Sequence, residues 1–475
     1  MSKYEAVIGL EVHAQLATAS KMFCACASNL RGAEPNTTIC PVCTGQPGTL
    51  PVVNGGAVEM AIKVGLALGC SIQGRSVFAR KNYFYPDLPK GYQISQYDKP
   101  LCHGGSVKVR TKDTDKEIAL IRIHLEEDAG KLLHDYGHPE QSHVDFNRCG
   151  VPLIEIVSGP DMRSPKEAGD YLRTLRNVLV YLGVCEGNLQ EGNFRCDANV
   201  SIRPAGQKEL GTRTEMKNLN SFKAVERALA YEIERQTKVV DGGGKVVQET
   251  RLWNDAAGRT EQMRTKEEAH DYRYFPDPDL MPLIVPKEWV ERVRGSLPEL
   301  AGAKAARFVA EHGIKEADAA ILTDDRRLAD YFERVVTAGA PAVKASNWII
   351  SELMRELKDT EEGIAACPIR PGHLAELIKH IEDGKISGKM AKTIFEKMYQ
   401  DGSDKVDLGS FSQISDTSEI ESIVDKVIAD NPKQLEQYRG GKTAVMGYFV
   451  GQVMKATKGK ANPKIVNELL KKKLK

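Results

Sequence analysis

Charge of neither sign is in excess. Lys and Arg number 66 against 65 Asp and Glu, a net charge of +1 over 475 residues. A surface that binds nucleic acid throughout would be basic, so any such contact has to come from local patches. No run of about 18 apolar residues occurs, which excludes a membrane-spanning helix. The opening residues Met1-Ser2-Lys3-Tyr4-Glu5 hold no apolar stretch, so no signal peptide is expected. Repeats and low-complexity segments are absent. Ten cysteines are too few for a disulfide scaffold in a chain this long. Four are clustered and six scattered, the pattern of a reduced, cytoplasmic protein with one metal site. Neither a nucleophile elbow nor a serine-rich amidase signature is present, and no local pattern singles out a nucleophilic cysteine. Gly440-Gly441-Lys442-Thr443 looks like the end of a phosphate loop. Glu436 stands where that motif needs its first glycine, so the segment reads as a surface turn before a helix.

What is present belongs to a globular protein: 41% hydrophobic and 28% charged residues, in a chain long enough for two or three domains. Val7 to Leu16 alternates with period two. Leu10, Val12, Ala14 and Leu16 share one face, and Glu11, His13 and Gln15 the other. Ile118–Leu125, Leu153–Val157 and Ala198–Ile202 also read as strands, with helices over Ala57–Leu68 and Ser164–Leu182. This mixture predicts an α+β domain on a largely antiparallel sheet. Four prolines between Pro276 and Pro286 interrupt both kinds of element. Beyond them Asn347–Leu357 and His373–Ile381 have helical spacing. Residues 401–411 read as a second linker, and Ser418 with Glu421 as a capping box before Ile420, Ile423, Val424 and Val427. The expected division is 1–293, 294–408 and 409–475, the last two helical.

Three constellations could carry chemistry. Cys24-Ala25-Cys26 and Cys40-Pro41-Val42-Cys43 are spaced to close a tetrahedral zinc site with no open position, hence a structural one; the alternative is four unpaired thiols in a loop. Glu11 and His13 project from one strand face, Glu126-Glu127-Asp128 ends another strand, Glu155 sits in an apolar run, and Asp197 shares a face with Asn199 and Ser201. Buried carboxylates need partners, and such a set can hold magnesium or form separate salt bridges with arginines. Arg80 to Gln93 interleaves Lys81 and Lys90 with Tyr83, Phe84, Tyr85 and Tyr92. It suits either an exposed loop that stacks a base and contacts phosphate or a packed aromatic loop.

Ile8-Gly9-Leu10-Glu11-Val12-His13, Arg80-Lys81-Asn82-Tyr83-Phe84-Tyr85-Pro86-Asp87, His124-Leu125-Glu126-Glu127-Asp128-Ala129-Gly130-Lys131 and Asp271-Tyr272-Arg273-Tyr274-Phe275-Pro276 closely resemble the B subunits of glutamyl/aspartyl-tRNA amidotransferases. So do Pro152–Ser158, Arg195–Asn199, Lys217–Phe222 and Lys455–Leu470. The resemblance implies a glutamine synthetase-like cradle domain, a helical domain and a tRNA-binding tail. It implies a complex with an amidase-type A subunit, which releases ammonia from glutamine, and a small C subunit. ATP would phosphorylate the carboxylate of the misacylated residue, and channelled ammonia would amidate it. The resemblance assigns magnesium to His13, Glu11, Glu127, Glu155 and Asp197, although strand alternation places Glu126, not Glu127, beside His124. It puts Lys81 and Lys90, with Tyr83 between them, near the channel exit. It matches the cysteines to zinc-bearing members. The tail is the chain's clearest basic segment, with Lys455, Lys458, Lys460, Lys464 and Lys471 among its cations and Glu468 the one acid after Lys455. The rival readings are a non-catalytic tRNA-binding scaffold and a self-sufficient ligase that takes free ammonia.

Overall fold

The computed structural model describes residues 3–110, 115–133, 141–265, 272–358, 360, 363–402, 406, 417–457, 461 and 463–474. The chain divides into two compact units, Met1–Leu300 and Ala301–Lys475.

The first unit is α+β. Its main strands lie in the order Arg259–Thr265, Glu249–Asn254, Thr214–Lys217, Phe194–Pro204, Tyr4–Gln15, Pro152–Ser158 and Asp115–Glu127, within a ten-stranded sheet. Neighbours run antiparallel, except that Thr214–Lys217 lies parallel to Glu249–Asn254. The helix Phe222–Asp241 makes that crossover. The expected fold class is therefore the observed one.

Alternation makes this sheet two-faced. Ile8, Leu10, Val12 and Ala14 are buried against Ile123, Ile156, Ala198 and the helical residues Tyr171, Leu175, Val225 and Leu229. Each such large side chain stabilises the fold by roughly 1.5–3 kcal/mol. A one-residue slip would put Glu11 and His13 into that core, so the register is strongly specified. The helices that cover the core start at local caps. Ser164 accepts from the Glu167 amide at 3.2 Å with Pro165 following, and Ser221 from the Ala224 amide at 3.0 Å. A cap of this kind contributes about 1 kcal/mol.

The aromatic segment is more regular than a loop. Ala79–Asn82 pairs with Tyr92–Ser95 as a hairpin, and Pro86, Pro89 and the left-handed Gly91 confine the irregular part to its tip. There Phe84 is 90% exposed, while Lys81, Tyr83 and Gln93 turn inward.

The described residues of the second unit form helices only. One apolar cluster gathers Phe332, Leu374 and Phe395, and a separate one Ile420, Val424, Phe449 and Leu470. His373–Ile381 lies within the helix Pro371–Glu382. Over Asn347–Leu357 the helix widens into a π-turn at Ile349–Leu353, which buries both of those residues. The helix Thr417–Ala429 begins one residue before Ser418, so Ser418 lies in its first turn and not at the cap. Most of the expected 401–411 linker lies outside the described residues. Gly440 to Thr443 is an exposed turn, as expected. No helix among the described residues is long and apolar enough to cross a membrane.

Candidate active site

The polar face of the sheet carries a row of ionisable groups, aligned by strand register. His13 is level with Arg195 on one side and Glu155 on the other, and Glu155 is level with His124. One step along the strands Glu11 is level with Asp197, and at the far end Gln15, Leu153 and Glu126 are level.

The side chains converge accordingly. His13 Nε2 lies 3.3 Å from Glu155 Oε2 and 3.5 Å from Glu126 Oε1. His124 Nε2 lies 3.4 Å from the same Glu155 oxygen. Burial alone would raise the Glu155 carboxyl, but the charges and hydrogen bonds of His124 and His13 hold it well below the usual range. Burial opposes protonation of His13, yet Glu155 and Glu126 raise it to about 9. Lys81 is held protonated against its burial by Tyr274, Glu126 and Glu155, and its ammonium sits 4.8 Å over the Tyr272 ring.

The next row belongs to Glu11 and Asp197. Glu11 accepts from Asn199 Nδ2 at 3.0 Å, and its carboxyl is raised by burial and by Glu155, Glu215 and Asp197. Asp197 Oδ2 accepts from Lys217 Nζ at 2.6 Å, with Glu215 3.5 Å from the same ammonium. Burial of that lysine is overcome by these two acids, which raise its pKa.

Glu127, which the resemblance assigns to magnesium, is not brought into this group. The strand keeps its alternation to its last residue, so Glu127 projects to the other side. There it accepts from Lys90 Nζ and from the Ile94 amide at 3.0 Å. Lys90 is thereby drawn away from the acid row as well, whereas Lys81 stays beside it. Tyr83 donates to Gln93 Oε1 at 3.3 Å near Lys81.

His13, Glu126 and Glu155 each offer a ligand atom, and these atoms lie within 4.8 Å of one another. Two carboxylates, an imidazole and open positions suit a hard divalent cation. Asn199 Oδ1, buried in the next row with no hydrogen-bond partner, is a further oxygen donor with unmet capacity. A fifth of the His13 side chain remains exposed, so the group can be reached from solvent.

Residues 6–291 match the GatB/GatE catalytic domain, and residues 330–474 the GatB domain. Three full-length relatives are each named as the B subunit of an aspartyl/glutamyl-tRNA(Asn/Gln) amidotransferase. Those of Syntrophotalea carbinolica and Solidesulfovibrio magneticus are 58% and 56% identical over 100% of this chain and 99% and 100% of their own. That of Geobacter sp. strain M21 is 55% identical over 99% of both. The chain belongs to the family of aspartyl/glutamyl-tRNA(Asn/Gln) amidotransferase B subunits.

Within this family member the cysteine quartet forms a second centre. The sulfur atoms of Cys24, Cys26, Cys40 and Cys43 all lie within 4.8 Å of one another. The Cys40 amide donates to Cys43 Sγ at 3.2 Å, and the buried Lys21 ammonium lies 3.6 Å from that sulfur. The hydrogen bond from Cys24, assisted by Lys21, pushes the Cys43 thiol down to about 4 despite burial. Four thiols of which one is already biased to thiolate fit a closed tetrahedral metal site. A cavity of about 190 Å³ is lined by both this knuckle and the Lys90–Glu127 pair.

Of the tail cations, Lys455 and Lys471 are exposed. Lys458, Lys460 and the side chain of Lys464 lie outside the described residues. Lys473 is bound by Asp425 and Glu421 at 2.6 and 2.7 Å, acids from another helix of the tail. Sequence reasoning missed Glu215, and gave no site role to Lys217, Asn199 or His124. His124 was recoverable from its two-residue spacing to Glu126; Glu215 and Lys217 lie on a four-residue strand too short to show a period.

Proposed function

We propose that the chain phosphorylates and then amidates the side-chain carboxylate carried by misacylated tRNA, Glu-tRNA(Gln) or Asp-tRNA(Asn), as the B subunit of an ATP-dependent amidotransferase. The observation that carries this reading is the His13–Glu126–Glu155 group, held on the polar face of the sheet with Lys81 beside it. The names of the relatives support the tRNA-dependent amidotransferase role.

A carboxylate is a poor acyl donor. In the proposed reaction one of its oxygens attacks the γ-phosphorus of ATP, and ADP leaves. Ammonia then attacks the acyl carbon, phosphate departs with that oxygen, and a proton is released. Positioning and charge neutralisation do most of the work in such transfers. His13, Glu126 and Glu155 are the proposed ligands of magnesium, with Glu11 and Asp197 one row away. When bound, magnesium supplies charge neutralisation at the transferring phosphoryl group. Lys81 offers a fixed positive charge to the acyl phosphate. Lys217, pinned by Asp197 and Glu215, offers a second.

The ammonia would come from an amidase-type A subunit, with a small C subunit completing the complex. A closed route keeps ammonia unprotonated and water away from the acyl phosphate. Lys90 and Tyr83 are proposed to line its exit. Zinc is the proposed occupant of the cysteine quartet, in a structural role. The tail from about residue 409, with its own apolar cluster, is proposed as a separate tRNA-binding domain using Lys455, Lys458, Lys460, Lys464 and Lys471. Ten unpaired cysteines suit the reducing cytoplasm.

Oxygen tracing tests the chemistry. Glutamyl-tRNA labelled with ¹⁸O in its side-chain carboxylate, given to the reconstituted complex with ATP and glutamine, should deliver one labelled oxygen into inorganic phosphate per amide formed. Amide formation with unlabelled phosphate would rule out the acyl-phosphate route.

A further inference from the structure

One large cavity of the first unit has no part in the chemistry above. It holds about 450 Å³ and is lined by Val77, Ala79, Tyr97, Lys99, Tyr274 and Phe275 among others. Tyr97 and Tyr274 stack with centroids 4.3 Å apart and planes within 5°. Tyr97 is 37% and Phe275 44% exposed. Arg75 and Lys99, also on the lining, are exposed cations. Asp98 and Asp277 line it too, the latter bound by Arg80, so the rim is of mixed charge and it is the partly exposed aromatic surface that suits an unpaired nucleobase. Every base has a face to stack.

Two routes lead from this cavity to the acid row. Ser95 Oγ donates to Glu126 Oε2 at 3.4 Å, and Tyr97 follows two residues later, just past the end of the strand Tyr92–Ser95. On the other wall Tyr274 packs edge-on against Tyr272 with centroids 6.1 Å apart, and Lys81 lies over Tyr272. Lys81 and Ala79 are two apart on one strand and so share a face, and Ala79 lines the cavity. A base stacked here is thus one short tether from the Glu126–Glu155 carboxylates.

We propose that this cavity receives the 3′-terminal adenosine of the misacylated tRNA, so that the aminoacyl ester on its ribose extends past Tyr274 and Lys81 to Glu126 and Glu155. The proposal rests on the amidotransferase reading and adds the seat of the acceptor end. ATP carries the same nucleoside, so the alternative source of an adenosine is the nucleotide. Geometry favours the tRNA. Glu126 is level with Gln15, at the end of the central strand nearer this cavity. A second cavity of about 500 Å³ opens at the opposite end, against Val7, Gly9, Glu11, Ser158 and Asn199. That cavity leaves room for the nucleotide on the other side of the row.

The test uses the complete reconstituted complex and two RNAs, uncharged tRNA with its full 3′ end and the same tRNA lacking only the terminal adenosine. Loss of that adenosine should weaken binding to the wild type on the order of tenfold, the effect of one base–aromatic stack. In Tyr97→Ala the two RNAs should bind alike, with the KM for ATP unchanged. Tyr97→Phe, which keeps the ring, should restore discrimination. Tyr97→Leu, which keeps bulk without a ring, should not, and it serves if the alanine variant fails to fold. Wild-type discrimination in Tyr97→Leu would overturn the proposal. A raised KM for ATP with discrimination intact would also overturn it, by giving the cavity to the nucleotide. A wild-type complex that forms no amide would instead sink the amidotransferase reading on which the proposal stands.

Discussion

Glu126 and Glu127 are consecutive, and their carboxylates lie on opposite sides of one strand. Glu126 Oε1 is 3.5 Å from His13 Nε2 on the polar face, while Glu127 Oε1 accepts from Lys90 and from the Ile94 amide on the other. Period two forces this divergence. Both groups are buried, so each needs its own partner: the histidine row for one, a lysine for the other.

The Lys90–Glu127 pair should therefore matter for stability more than for phosphoryl transfer. Its side chains are 8% and 4% exposed. Lys90→Met leaves Glu127 buried without its cation and should cost about 3–5 kcal/mol. Adding Glu127→Gln should recover part of that loss, since contacting residues couple. Urea denaturation of the purified chain measures both. A cost under about 1 kcal/mol, the value of an exposed pair, would mean that the contact is not buried in solution.

One zinc per chain is expected on Cys24, Cys26, Cys40 and Cys43. Metal analysis should return about one equivalent. Cys40→Ser combined with Cys43→Ser should remove it and lower thermal stability, because binding to such a site is coupled to folding. Stoichiometric zinc retained in the double variant would contradict the assignment.

Removing residues 411–475 should raise the KM for tRNA more than it lowers kcat, the mark of lost uniform binding. Each lost phosphate contact should also flatten the slope of log affinity against log salt by roughly 0.7–0.9. Lys473 should contribute little of this, since Asp425 and Glu421 already hold it. A truncated complex with wild-type affinity and salt slope would reassign the tail to assembly.

Much of this was legible in the sequence because it depends on local periodicity. The alternation from Val7 to Leu16 marked both the buried face of the central strand and the polar face that carries Glu11 and His13. The helix read over Ser164–Leu182 is observed at Pro165–Tyr181 and the cysteine spacing identified the knuckle, whereas the helix Phe222–Asp241 was not read. What could not be read was which acids meet. The levels His13–Glu155 and Glu155–His124 depend on how distant strands pack, and no spacing within a strand encodes them. Alternation predicted that Glu126 shares the His124 face, and strand geometry persists to the final residue, while the resemblance names its neighbour Glu127. Tyr97 and Tyr274 are far apart in the chain, and their stack depends on the strand Phe275–Pro276 pairing with Ala79–Asn82 of the hairpin.

The central claim is that the Glu126 face performs the phosphoryl transfer, and paired conservative variants test it most directly. In the reconstituted complex, Glu126→Gln should lose tRNA-dependent ATP cleavage and amide formation, on the order of the hundredfold or more typical of a lost transition-state charge contact. Glutamine hydrolysis by the partner and affinity for tRNA should persist. Asp197→Ala, which frees Lys217, should also fail in ATP cleavage, while Glu127→Gln should keep the ATP step. Near-normal ATP cleavage in Glu126→Gln, with its loss in Glu127→Gln, would contradict the account and move the site to the other side of the strand.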